Sequence, residues 1–150
     1  MTRHGDGWSL LELVLVMAIL AVISAIAVPR FAAAQANYRA QCAARRLAAD
    51  LELARAVARQ TSRACTARLD LTRHTLTLEG PPWPSKQPHV TRLSEPPYEA
   101  RILKADLGGD TTLTFDGLGQ PDSSGTIVVG AGDASCTVHL DASTGRASIP

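Results

Sequence analysis

The sequence predicts an α+β protein in which one long N-terminal helix packs on a small antiparallel β-sheet. The N-terminal part is apolar and alanine-rich, and its later apolar positions recur every three or four residues, as on one helix face. From residue 64 the pattern changes to short alternating runs, which are typical of strands. We therefore divide the chain into a leader, 1–7, an apolar helix segment, 8–29, its amphipathic continuation, 30–63, and a β-rich globular domain, 64–150.

Length and charge place the chain among proteins with one modest domain and an anchor. It has 150 residues, with fifteen Lys and Arg against fourteen Asp and Glu. This balance gives no overall basic or acidic field that would identify a partner. The arginines between residues 39 and 63 are spread around the helix and interleaved with Asp50 and Glu52, which favours a solvated helix face over a nucleic-acid stripe.

The segment from Trp8 to Val28 has the length and composition of a membrane-spanning helix. Its one ionisable side chain is Glu12, and at helical rise it spans about 30 Å, the thickness of a bilayer's hydrocarbon core. Arg3 in the leader favours a cytoplasmic N-terminus, so the C-terminal domain is expected on the other side of the membrane.

An ordinary secretory signal peptide is the alternative interpretation of this segment. The triplets Ala25-Ile26-Ala27 and Ala34-Gln35-Ala36 have the small residues of a signal-peptidase site, and cleavage there would release a soluble β-rich domain. However, the apolar run is longer than a usual signal-peptide core of roughly 7–15 residues. Burying ionised Glu12 in lipid also costs about 2–3 kcal/mol, which suggests that this acid has a function.

The apolar segment and its flanks contain one long motif, Gly7-Trp8-Ser9-Leu10-Leu11-Glu12-Leu13-Val14-Leu15-Val16-Met17-Ala18-Ile19-Leu20, followed by Ala27-Val28-Pro29. This motif resembles the class III signal of type IV pilins and type II secretion pseudopilins. The resemblance implies cleavage by prepilin peptidase between Gly7 and Trp8, and methylation of the new N-terminus. Trp8 departs from the family, which usually has Phe or Met there. The resemblance also implies a single-pass protein of the bacterial inner membrane, with its C-terminal domain in the periplasm before assembly.

The matching positions imply roles in assembly for Glu12 and Pro29. In a stack of subunits, Glu12 can pair with the α-amino group of a neighbour, which cancels two charges that lipid disfavours and sets the axial register. Pro29 removes one helical hydrogen bond and is expected to kink or open the helix near the membrane surface. The implied partners are prepilin peptidase, other pilin or pseudopilin subunits and inner-membrane lipid.

Short strands are predicted throughout the β-rich domain. The turns Thr72-Arg73-His74 and Gly130-Ala131-Gly132-Asp133 have hairpin composition. The segment from Pro81 to Pro97 holds six of the nine prolines and is predicted to be an extended loop rather than a core strand. The predicted strands are Ala64–Leu71, Thr75–Glu79, Tyr98–Leu103, Thr111–Phe115, Thr126–Gly130, Ser135–Leu140 and Ala147–Ile149.

Three C-terminal stretches, Leu113–Pro121, Gly125–Val129 and Thr144-Gly145-Arg146, resemble the GspH/FimT group of minor pilins and pseudopilins. Some FimT-like proteins bind DNA for uptake in natural competence through a C-terminal Gly-Arg-x-Arg pattern. Here Ser148 replaces the second arginine. Phosphate binding grows with the number of cationic contacts, so Arg146 alone is a weak DNA site and DNA is not the favoured partner.

The cysteines and histidines give no catalytic or metal-binding pattern. Cys136 and His139 are three residues apart on a predicted strand, hence on opposite faces. A disulfide between Cys65 and Cys136 would join the first strand to a late one, and three free thiols are the open alternative, with Cys42 as the odd residue. The sequence predicts no cofactor and no enzyme activity.

These observations predict a minor pilin or pseudopilin, a structural subunit of a type II secretion pseudopilus or a type IV pilus, processed after Gly7. A DNA-binding minor pilin for DNA uptake is the alternative function. It would require a basic patch at the C-terminus, of which the sequence shows only Arg146.

Overall fold

The computed structural model describes residues 10–80 and 88–149, so the predicted cleavage site at Gly7 and Trp8 lies outside the described residues. The chain divides into two compact units, Met1–Ala34 and Gln35–Pro150. One helix and eight strands are described: α1 Leu10–Thr61, β1 Cys65–Asp70, β2 Thr75–Glu79, β3 His89–Arg92, β4 Arg101–Leu107, β5 Thr112–Phe115, β6 Gly125–Ala131, β7 Ala134–Leu140 and β8 Ala147–Ser148.

The later part of α1 buries one stripe of mostly small side chains. Alanine favours the helix, and its small side chain lets other elements approach the helix axis closely. The stripe consists of apolar residues spaced three or four apart, as the sequence pattern predicts, together with Asp50. Its members are Ala40, Ala43, Ala44, Leu47, Asp50, Leu51, Ala54 and Ala58.

The helix ends at Thr61, two residues before the predicted boundary. Ser62 has a φ of 51°, in the left-handed region, and the N–H of Arg63 donates to the carbonyl of Ala58 at 3.2 Å. This is the hydrogen bond of a Schellman motif, with Ser62 in the position that glycine usually takes. The motif directs the chain out of α1 and into β1.

The strands form two antiparallel sheets. The first has the order β3-β2-β1-β5 and the second the order β4-β6-β7-β8. The predicted hairpin between the first two strands is confirmed, because β1 and β2 pair antiparallel up to Asp70 and Thr75. In its turn the carboxylate of Asp70 accepts the N–H groups of Thr72 at 2.8 Å and Arg73 at 2.9 Å. The predicted glycine turn is also confirmed, and Gly132 (φ 55°) lies between β6 and β7.

One contiguous core contains the buried stripe of α1 and the inward side chains of both sheets. Its largest fully buried members include Phe115, Leu47, Leu51 and Leu113. The core is therefore built mainly from leucine and alanine, with valine and isoleucine, around one buried phenylalanine, which agrees with the low aromatic content of the sequence.

His74 connects the two sheets. Its φ is 54°, and its carbonyl accepts the N–H of Leu93 at 3.0 Å. Its ring Nδ1 lies 3.3 Å from the backbone nitrogen of Ile102, which donates to it. The β1–β2 turn therefore holds both the segment after β3 and the edge of β4.

The prediction that Pro81–Pro97 contains no core strand was wrong for its second half. His89–Arg92 form β3, which pairs with β2 along Thr75–Leu78, and Leu93 is completely buried. The prolines that suggested a loop flank this strand and do not interrupt it. β3 is also an edge strand, where one side of the backbone needs no partner.

The fourth strand lies further along the chain than predicted. Tyr98 and Glu99 donate to the carbonyl of Glu95 in a turn, and β4 runs from Arg101 to Leu107. Its pairing with β6 shifts between Ile102 and Lys104, which leaves Leu103 as a bulge with its side chain 57% exposed.

Candidate functional site: the apolar helix segment and the C-terminal loops

The first unit presents an apolar helix surface with no buried residue among those described. The large side chains from Leu10 to Val28 are between 38% and 79% exposed, and Phe31 is 73% exposed. By length and composition this part of α1 can cross a membrane. A continuous apolar surface of this size needs lipid or protein to cover it.

Glu12 lies in α1 and is exposed among leucines. Pro29 lies inside the same helix. It cannot donate to the carbonyl of Ala25, so that carbonyl is left available to another donor. Both residues therefore lie in the helix, and their roles in assembly stay predictions.

The structure does not contain the Cys65–Cys136 disulfide, and all three cysteines are free thiols. The two residues lie in different sheets, since Cys65 begins β1 beside Phe115 of β5 and Cys136 pairs with Val129 of β6. Burial raises the pKa of the Cys65 thiol, which keeps it protonated and unreactive at neutral pH.

Arg146 lies on the surface beside a tightly packed pair of loops. Gly145 before it has a φ of 65°, and a Cβ at this position would lie 3.0 Å from the carbonyl oxygen of Gly119 and 3.1 Å from Nε of Arg55. That nitrogen donates to Gly119 O at 3.3 Å, and Nη1 of Arg55 lies 3.5 Å from Glu52. The structure thus brings together two of the stretches that resemble the GspH/FimT group and holds them against α1.

Asp116 organises the loop that contains Gly119. Its Oδ1 accepts the N–H groups of Leu118 at 2.9 Å and Gln120 at 2.8 Å. The strand-like pairing of Phe115 with Pro121 closes the loop. The Phe-Asp-Gly pattern of the sequence is therefore a structural signal, in which the aspartate caps a turn that needs glycine.

Asp141 caps the loop that carries Arg146. The hydroxyl and N–H of Ser143 each donate to its carboxylate at 2.8 Å, and the Thr144 hydroxyl donates at 3.0 Å. These donors, led by the Ser143 hydroxyl, hold the pKa of Asp141 below its ordinary value of 3.8.

The lowered pKa of Asp141 predicts a pH effect on stability. The folded state favours the ionised carboxylate, so the contribution is fully present above pH 3.8 and is lost as the pH falls through the lower folded pKa. We expect the variant Asp141→Asn to lose less stability than the unsubstituted chain between pH 4 and about pH 2. Urea denaturation at several pH values would measure it, and parallel curves for the two proteins would contradict it.

Asp50 is a buried carboxylate that the sequence interpretation assigned to the solvated face. It is 2% exposed, and Oδ2 accepts the hydroxyl of Thr91 at 2.6 Å and Nε of Arg46 at 3.2 Å. Its Oδ1 lies 3.2 Å from Nε2 of His89. We call these four residues the Asp50 cluster; it joins α1 to β3. The signal was present in the sequence, since Asp50 lies three residues after Leu47 in the apolar stripe.

No group of three or more His, Cys, Asp or Glu side chains with metal-binding geometry occurs within residues 10–80 and 88–149. Most polar side chains at the C-terminal loops are used to cap turns or to bind α1. The described residues therefore provide an exposed apolar helix surface and loops held by hydrogen bonds, and both can bind neighbouring molecules.

Comparisons with known proteins agree with this description. The sequence profile of the family described as "Type II transport protein GspH" matches residues 43–145. Two solved structures of the minor pseudopilin EpsH, from the type II secretion system of Vibrio cholerae, have the same fold with a TM-score of 0.57 each. They are 15% and 16% identical to the chain over 75% of its length, and the match covers 94% and 96% of the solved chains. A comparison with curated protein sequences gives no match.

Proposed function

The chain belongs to the GspH family of type II transport proteins, and from this premise we propose that it is a minor pseudopilin, a structural subunit of a type II secretion pseudopilus. One observation carries the proposal: the helix that supplies the buried stripe of the GspH domain also contains an apolar segment, Leu10 to Val28, in which no residue is buried. The segment holds the subunit in the inner membrane, with the domain in the periplasm, and afterwards packs against other pseudopilin helices.

Glu12 guides this packing. An ionised carboxylate in lipid costs about 2–3 kcal/mol, and so does a charged amino terminus. When Glu12 of one subunit meets the amino terminus of its neighbour, both costs are removed together. Two apolar helices can slide along each other at little cost in free energy. The charge pair therefore selects one axial position of each subunit relative to its neighbour.

Processing at Gly7 creates the amino terminus that this pairing needs. We expect the membrane-extracted protein to begin at N-methylated Trp8, because a short polar leader ending in glycine gives a peptidase an unobstructed backbone. Intact mass spectrometry would measure it. The variant Gly7→Val, with a branched side chain at the cut, is expected to keep its leader. An N-terminus at Val28 or Asn37 would indicate signal peptidase instead and would contradict the assignment.

The geometry gives little support to DNA binding. Arg146 is exposed, but the nearby guanidinium of Arg55 is engaged by Glu52 and by the Gly119 carbonyl. Asp141, whose pKa is lowered by its hydrogen bonds, adds a negative charge to the same loop. One free arginine beside a carboxylate is a poor phosphate site.

We therefore expect the detergent-solubilised chain to show no salt-sensitive binding to double-stranded DNA at low salt, and Arg146→Ala to change nothing. Fluorescence anisotropy at low and moderate salt would measure this, with Arg101→Ala as a control at another exposed arginine. Binding that falls with salt and is weakened by Arg146→Ala alone would identify a DNA-uptake minor pilin.

A further inference from the structure

Strand β7 has an open outer edge along most of its length. On one side it pairs with β6 at all seven residues from Ala134 to Leu140. On the other side β8 pairs only with His139 and Leu140. Within the described part of the chain, the backbone groups on the outer side of Ala134–Val138 therefore have no strand partner. We call these five residues the open edge.

The other sheet edges are shorter or interrupted. On β4, the Leu103 bulge interrupts the edge and His74 accepts the N–H of Ile102. On β5, the N–H of Asp122 donates to Thr114 O at 3.0 Å. β3 has only four residues. Unprotected edges are sites at which other chains add strands, and natural sheets usually cover or interrupt them.

A cavity of about 330 Å³ lies beside the open edge. It is lined by Gln41 and Arg45 of α1, Cys136 of β7, and Ile149 after β8. Ile149 and Cys136 supply an apolar wall, and both also pack against the core. A strand added along β7 would place one of its alternate side chains over this cavity, because successive side chains of a strand point to opposite faces.

Arg45 defines the charge that the occupant would carry. It is exposed, and none of the ion pairs among the described residues involves it. A segment with an acidic residue near Arg45 and an apolar residue over Cys136 would therefore complement the site. Backbone pairing supplies affinity in such complexes, and the side-chain pockets supply selectivity.

We propose that the open edge docks an extended segment of another pilin-type subunit, which adds to the second sheet as an extra strand beside β7. Assembly with other pilin-type subunits, which the proposed function requires, supplies partners of this kind. The inference thus rests on the proposed function.

Photo-cross-linking in membranes tests the docking. A photoreactive phenylalanine analogue at Ser135, on the open edge, is compared with the same analogue at Leu15, in the apolar segment, and at Arg101, on β4. We expect adducts from positions 135 and 15. The adduct from 135 should map by mass spectrometry to an extended segment of a different subunit that carries a prepilin-type N-terminus. Arg45→Glu should reduce this adduct about tenfold and leave the Leu15 adduct unchanged.

Adducts from position 15 without any from 135 would overturn the inference and leave the proposed function intact. An adduct from 135 to a second copy of this chain, or one as strong from Arg101, would also overturn it. Loss of adducts at every position would instead overturn the proposed function. Hydrogen exchange supplies a second readout: open-edge amides should exchange at least tenfold more slowly in the filament than after extraction, whereas His139 and Leu140 should not change.

Discussion

Replacing Glu12 with glutamine is expected to reduce incorporation into the filament about 30-fold while leaving membrane insertion intact. The substitution keeps the side chain's shape and removes its charge, so the amino terminus of the neighbouring subunit stays charged and unpaired in lipid. A cost of about 2 kcal/mol corresponds to a roughly 30-fold change in an equilibrium constant. The ratio of filament-associated to membrane-dispersed protein would measure the effect.

Glu52→Gln is a matched control for this experiment. Glu52 is on the same helix, but it lies in the second unit, where it contacts Arg55 and accepts the N–H of Ala147. Its substitution should change the free energy of unfolding of the domain only slightly. It should reduce incorporation into the filament much less than Glu12→Gln does. Filaments that contain the Glu12→Gln chain at the normal level would contradict the pairing of Glu12 with a neighbour's amino terminus.

Replacing Asp50 with alanine is expected to destabilise the second unit by about 2–3 kcal/mol, because hydrogen bonds to a charged group contribute about 1.5–3 kcal/mol and the side chain of Arg46, 39% exposed, can still be solvated. The loss would leave the hydroxyl of Thr91 without its 2.6 Å acceptor and Arg46 without its carboxylate. β3 would then be joined to the rest of the domain through its pairing with β2 and through apolar contacts.

Chemical denaturation of the solubilised chain would measure this change. Asp50→Asn should cost less than Asp50→Ala, because its amide oxygen can still accept from Thr91. Asp122→Ala, at an exposed carboxylate, is the control and should stay within about 0.5 kcal/mol of the unsubstituted chain. An Asp50→Ala chain as stable as this control would show that the Asp50 cluster adds nothing to folding.

The elements that follow a simple period could be predicted from the sequence. The stripe of α1 follows the helical repeat, and the strands β1, β2 and β5 alternate between buried and more exposed side chains. The GspH relationship was also predictable, because its glycine turns are local: Asp116 caps residues only two and four positions ahead.

The features that depend on contacts between distant residues could not be predicted. β3 exists because β2 is available to pair with a short run that proline-rich sequence surrounds. The environment of Asp50 depends on which strand packs over it, and Thr91 is 41 residues away. The state of Cys65 and Cys136 depends on how the strands are shared between two sheets, and the contact of Arg55 with Gly145 depends on loop packing.

His74 has a consequence for how the domain comes apart. The two sheets share no strand, so the strand pairing of one sheet could open while the other stays intact. The amide of Ile102, however, donates to a ring in the turn of the other sheet. Its hydrogen can exchange with solvent only when that inter-sheet contact opens, so its exchange rate monitors cooperativity between the sheets. Exchange as slow as that of the most protected core amides would mean that the two sheets unfold as one body.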